Sequence, residues 1–191
     1  LRADPRVDAG PLCSKQYQAD VTHVTLVAAT PAEIPALIID APAALAAAGM
    51  SPPMTLKSPA DEPAPIEVSG HMGPWADAAF RAYDALRAEI PLTSFRAEAD
   101  AVTVTLAHEV DLDRARALTQ AALGSTSAEV FFQSDLVTLF PGARGDQARS
   151  LLAQVGPDAL AGVVSVWTND QSATLTLDST AYLAELARAI S

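Results

Sequence analysis

Residues 100–124 read DAVTVTLAHEVDLDRARALTQAALG, a strand-like alternation that runs straight into a helical one. Val102, Val104 and Leu106 alternate with Thr103 and Thr105. Successive side chains of a strand point to opposite faces, so this segment carries one apolar face and one hydroxyl-bearing face. Leu112, Ala115, Leu118 and Ala122 then recur at helical spacing, with Asp111 as the expected N-cap and Gly124 as the stop. A strand that is apolar on one side only suits a sheet covered by helices on one face and solvated on the other. A doubly covered parallel sheet would need continuous apolar strands. The expected fold class is α+β, built of two-layer sandwich-type units with helices on one face of a mixed or antiparallel sheet.

The pattern returns twice. In SATLTL, residues 172–177, Ala173, Leu175 and Leu177 oppose Thr174 and Thr176. Residues 21–29, VTHVTLVAA, form a third such strand, and Thr30-Pro31-Ala32-Glu33 opens a helix that Thr30 is expected to cap. AVTVTLA at 101 and SATLTLD at 172 lie 71 residues apart, a period that points to duplicated small domains and not to a solenoid of short repeats.

The chain divides accordingly. Residues 1–19 are polar, with Pro5, Gly10 and Pro11, and read as a flexible arm or tether. Residues 20–69 form a degenerate βα unit that includes MSPPMTLKSPADEPAP at 50–65, whose five prolines mark a linker or long loop. Residues 74–140 read αββαβ: a helix over 75–90, strands on either side of an Ala99-Asp100 turn, the 112–123 helix, and SAEVFFQS with LVTLF as one strand bulged near Ser134-Asp135 or two. Residues 141–191 read αββα, with GVVSVWT and SATLTL joined at Asn169-Asp170-Gln171, between helices striped by Leu151 and Val155 and by Leu183 and Leu186.

The αββαβ order around ADAVTVTLAHEVDLDRARALTQAALGSTSAEVFF resembles BON domains, small modules that recur in bacterial periplasmic and envelope proteins. Val102, Thr103, Leu106, Val110, Ala115, Ala121, Gly124 and Val130 sit where that pattern wants them. The chain departs from it at Ala99-Asp100 and Ala107-His108, where the family has glycine, and the second unit ends before its last strand. The resemblance spans residues 74–190 and implies binding to envelope lipid, cell-wall polymer or a partner protein, without catalysis.

Charge narrows the partners. Twelve basic residues stand against twenty-three acidic ones, for a net charge of −11. Nucleic-acid binding needs cations to neutralise phosphates, and this chain has only Lys15 and Lys57 beside scattered arginines. Anionic lipid is disfavoured on the same ground. Half the residues are hydrophobic but only 5% aromatic, so the core is expected to be Ala, Val and Leu. Cys13 stands alone and makes no internal disulfide framework. The Ala- and Arg-rich, Lys-poor composition points to a high-GC, actinobacterial source. The chain starts at Leu1 and not at Met, so trimming is expected: a removed signal peptide, an N-terminal anchor before Leu1 or an arbitrarily chosen start would each leave this.

No catalytic set, metal site or cofactor is expected. His23, His71 and His108 are scattered. His108-Glu109 with Asp111 and Asp113 could hold a divalent ion, and His108, Glu109 and Asp111 could form an enzyme site, but the expected reading is a strand end followed by a helix N-terminus, where acids favour the dipole. Arg144-Gly145-Asp146 reads as a bend and a helix cap more readily than as an adhesion motif. Trp75, at a helix start, and Trp167, on a strand apolar on both faces, are the binding candidates. The expected function is that of a non-enzymatic, extracytoplasmic bacterial envelope domain that binds or scaffolds. The alternatives are a dimerising or regulatory ectodomain that forms homo-oligomers through edge strands, and an enzyme with its site near His108, Glu109 and Asp111.

Overall fold

A computed structural model describes residues 4–15, 22–108, 111–124, 128–134, 137–140, 163–169 and 172–177. Within them, ten strands form one mixed sheet whose order in space equals their order in the chain. They are β1 (Val7–Lys15), β2 (Thr22–Ala28), β3 (Met54–Lys57), β4 (Ile66–Gly70), β5 (Leu92–Ala97), β6 (Ala101–Leu106), β7 (Glu129–Gln133), β8 (Val137–Leu139), β9 (Val163–Thr168) and β10 (Ala173–Leu177). Antiparallel pairs β1–β2, β3–β4, β5–β6, β7–β8 and β9–β10 alternate with parallel pairs β2–β3, β4–β5, β6–β7 and β8–β9. The first three parallel steps are bridged by α1 (Ile34–Ala47), α2 (Pro74–Glu89) and α3 (Leu112–Leu123), as a parallel pair requires a long crossover.

Every described helix packs on the same side. Leu26, Leu56, Val68, Ala97 and Val102 stand opposite one another across five strands and are all buried. Ile66, Phe95, Val104 and Phe132 make a second such row. Ile34, Leu37 and Ala41 of α1, Ala79, Tyr83 and Leu86 of α2, and Leu112 and Ala115 of α3 join them in one cluster. Burial of a side chain of this size stabilises by roughly 1.5–3 kcal/mol. The mixed sheet with helices on one face is the expected fold class.

Several expectations change. Residues 7–15, expected in the arm, are β1. Register shifts between Val7 and Ala9 and between Ala9 and Leu12 break its alternation, so it does not read as a strand. The proline-rich stretch holds β3, because Met54, Thr55 and Leu56 are all buried between Pro53 and Pro59. Pro53 still contributes its carbonyl, which accepts from Val24 N at 3.1 Å. The segments at 129–133 and 137–139 are two strands of a hairpin, closed by Ser134 N to Val137 O at 2.7 Å. Thr30 and Asp111 make no side-chain cap bonds, and α1 runs through Pro42.

The sheet and its core run without a break across the boundaries expected near residues 70 and 141. β6, β8 and β10 begin 36 residues apart, so the echo between 101 and 172 spans two hairpin steps. The helices expected after 146 and at the C-terminus lie outside the described residues.

Two contacts fix the periphery. Tyr83 sits edge-on to Phe95, with ring centroids 5.7 Å apart, and its hydroxyl donates to Ala64 O at 2.8 Å. Burial pushes its phenol up, against the nearby Arg87 guanidinium. Arg6 donates to both Asp4 carboxylate oxygens and to Asp40 of α1 at 2.7 Å, which ties the start of β1 to the helix layer. The Arg6 side chain, then its backbone N–H, lowers the Asp4 carboxyl from 3.8 to about 2.

Tyr83→Phe leaves the 58–65 loop without this tie to α2 and is expected to cost about 1 kcal/mol in urea unfolding. An unchanged unfolding midpoint would show that the bond contributes nothing. Asp4 should titrate near pH 2 by NMR and move back toward 3.8 in Arg6→Gln. The folded state favours the carboxylate, so this contribution is present above about pH 3.8 and is lost as pH falls toward 2. A wild-type midpoint at the ordinary carboxylate value would contradict the assignment.

Candidate functional site

No described helix covers the other face of the sheet, and its side chains lie in rows set by register. One row runs Lys57, Glu67, Arg96, Thr103, Phe131 on β3 to β7. A second runs Ser94, Thr105, Gln133, Thr138, Trp167, Thr174 on β5 to β10. A register shift between Leu92 and Ser94 lets Leu92 and Phe95 both face the core while Ser94 and Arg96 face outward.

The first row is charged at one end. Lys57 Nζ lies 2.8 Å from Glu67 Oε2, and Arg96 Nε lies 3.7 Å from Glu67 Oε1. One carboxylate therefore faces two cations. Beside it, Thr105 Oγ1 accepts from Ser94 Oγ at 3.0 Å and from Gln133 Nε2 at 2.9 Å. These residues line a shallow groove of ≈ 520 Å³, floored by the Ile66 and Phe95 strands. On its other flank His23 Nε2 meets Thr55 Oγ1 at 2.7 Å, and Thr55 Oγ1 meets Ser69 Oγ at 3.0 Å. The polar side chains thus form bonded chains across the strands.

The far end of the face is aromatic. The Phe131 and Phe140 rings lie 5.8 Å apart edge-on, and Phe140 lies 5.7 Å from Trp167. Trp167 is 52% exposed, while its neighbours Val166 and Thr168 are buried. That settles the strand read as apolar on both faces: Val166 belongs to the core and Trp167 to the open surface.

Trp75 has a different setting. It lies at the start of α2, half-buried against the core, and its Nε1 donates to His71 O at 3.0 Å. It is therefore anchored on the helix that bridges β4 and β5, whereas Trp167 stands on β9. His108 is exposed after β6, and Asp111 N donates to its carbonyl at 3.3 Å across the turn into α3. Glu109 and the Arg144-Gly145-Asp146 stretch lie outside the described residues. Among the described residues no three His, Cys, Asp or Glu side chains gather as a metal site. Cys13 is exposed on β1. The β1 edge, a candidate for pairing, carries Pro11 and two register shifts, which blunt an edge against strand addition.

Sequence reasoning singled out Trp167 but not Lys57, Glu67, Arg96, Thr105 or Gln133. They come from five strands and share no local motif; only a correct register along the whole sheet collects them. No protein-family model, curated protein or solved structure matches this chain.

An accessible Trp167 beside an anchored Trp75 is checked by acrylamide quenching. Trp167→Phe should remove most of the readily quenched emission, and Trp75→Phe should leave it. Equal quenching of the two single-tryptophan proteins would place Trp167 under cover.

Proposed function

We propose that this chain is a non-enzymatic binding domain of the bacterial cell envelope, acting outside the cytoplasm, and that it binds through the open face of its sheet. The observation that carries the reading is the joining, on the face that no described helix covers, of a charged groove, a hydroxyl and amide band and an aromatic cluster. Pockets that bind ligands combine apolar and aromatic walls with a few polar groups that fix orientation. The polar groups here are bonded to one another across strands, so they are held in place before a ligand arrives. The aromatic cluster supplies the kind of side chain that dominates binding energy where it becomes buried.

The envelope setting rests on the BON resemblance of residues 74–190. Acidity supports a partner other than nucleic acid. Among the described residues no helix is long and apolar enough to cross a membrane.

Co-sedimentation with isolated cell-wall and membrane fractions tests the reading. Wild-type protein is expected to pellet with one of them, and Trp167→Ala and Arg96→Gln are each expected to weaken retention about tenfold. Arg81→Gln, on the exposed surface of α2, should pellet like the wild type. Failure to pellet with any fraction, or equal retention of all variants, would defeat the proposal, as would confinement of the intact protein to the cytosol.

A further inference from the structure

We infer that the ligand of this face is a linear, carboxylate-bearing glycan laid across the strands. The inference rests on the binding reading above and names its ligand class. Charge is the first ground. Among the described residues, the charged groups lining the groove are Lys57, Arg96 and Glu67, two cations to one carboxylate, within a chain of net charge −11. The groove therefore attracts one isolated anionic group, while the rest of the chain repels a dense array of them. A polynucleotide or an anionic bilayer presents such an array. A polymer with carboxylates spaced along a neutral backbone does not. Arg96 offers a planar fork matched to a carboxylate, and Lys57 adds a point charge beside it.

The second ground is the order of chemistry along the face. Next to the cations come Ser94, Thr105 and Gln133, hydroxyl and amide groups that both donate and accept. They suit the vicinal hydroxyls of a sugar, which also donate and accept. Beyond them stand Phe131, Phe140 and Trp167. A pyranose ring shows a face of C–H bonds that packs flat on an aromatic ring while its hydroxyls point sideways. A small cleft beside Trp167 is lined by Asn169, Ser172 and Thr174, further polar partners at the ring's edge.

The third ground is extent. Lys57 on β3 and Trp167 on β9 are six strand spacings apart, about 29 Å at ~4.8 Å per strand. A single sugar cannot touch both, and a chain of several can. An extended peptide would add along an edge, where backbone donors are unpaired, and not across a face whose backbone groups are already bonded.

Isothermal titration calorimetry on the whole chain tests this. The probes are hyaluronate oligosaccharides, which alternate uronate with N-acetylhexosamine, neutral chitohexaose, and phosphatidylglycerol vesicles. Hyaluronate is expected to bind, with chitohexaose at least tenfold weaker and the vesicles silent. Arg96→Gln and Trp167→Ala should each cost about tenfold in hyaluronate affinity, and Arg81→Gln nothing. Unchanged thermal melts show that the variants fold, and Trp167→Phe should recover most of the affinity lost in Trp167→Ala. Equal binding of the two glycans, or binding of vesicles without hyaluronate, would overturn the inference. If envelope fractions retain the protein through Trp167 and Arg96 while hyaluronate does not bind, the glycan inference falls and the binding reading stands. If neither the fractions nor hyaluronate bind, both fall.

Discussion

One-sided burial of the strands is the constraint from which the rest of the molecule follows. Leu26, Leu56, Val68, Ala97 and Val102 form an unbroken apolar row, and α1, α2 and α3 exist as stable helices because they cover it. A helix of 12 to 16 residues is marginal alone in water and gains its stability by packing an apolar stripe. The same rows decide the opposite face. Once one set of alternating positions is committed to the core, register leaves the other set aligned and free to carry polar and aromatic groups. A one-residue slip in β3, β4 or β5 would scatter Lys57, Glu67 and Arg96 and expose the core at once.

The polar face has its own internal logic. Glu67 is shared by Lys57 and Arg96, so neither cation is neutralised by a partner of its own. Exposed ion pairs of this kind contribute little to stability. Their placement says more about what the groove attracts than about what holds the fold. The Ser94, Thr105 and Gln133 chain differs, because it links three strands through one hydroxyl that accepts twice.

Local patterns that keep a regular period were readable from the sequence, and irregular ones were not. AVTVTL alternates cleanly, so its buried valines and outward threonines were plain. The helix expected at 75–90 lies at 74–89 for the same reason. β1 was hidden because its bulges break the alternation, and β3 because its four residues lie among prolines that act as brackets. At Trp167 the strand was apolar on both faces, so only the packing of Val166 could assign a side. The groove was out of reach because its residues meet through register between distant strands, which no spacing in the chain records.

The order of the sheet has a consequence for handedness. Strand direction reverses at each hairpin, yet the sheet always grows toward the same side. Under those two conditions, helices that share one face must cross with alternating hand, although crossovers between parallel strands are right-handed in about 98% of cases. Were every crossover here to keep one hand, successive helices would fall on opposite faces. A helix would then lie over the face that carries Lys57, Glu67, Arg96 and Trp167. Among the described residues the bare face is thus a chiral product: α1, α2 and α3 leave it open because the hand of their crossovers alternates.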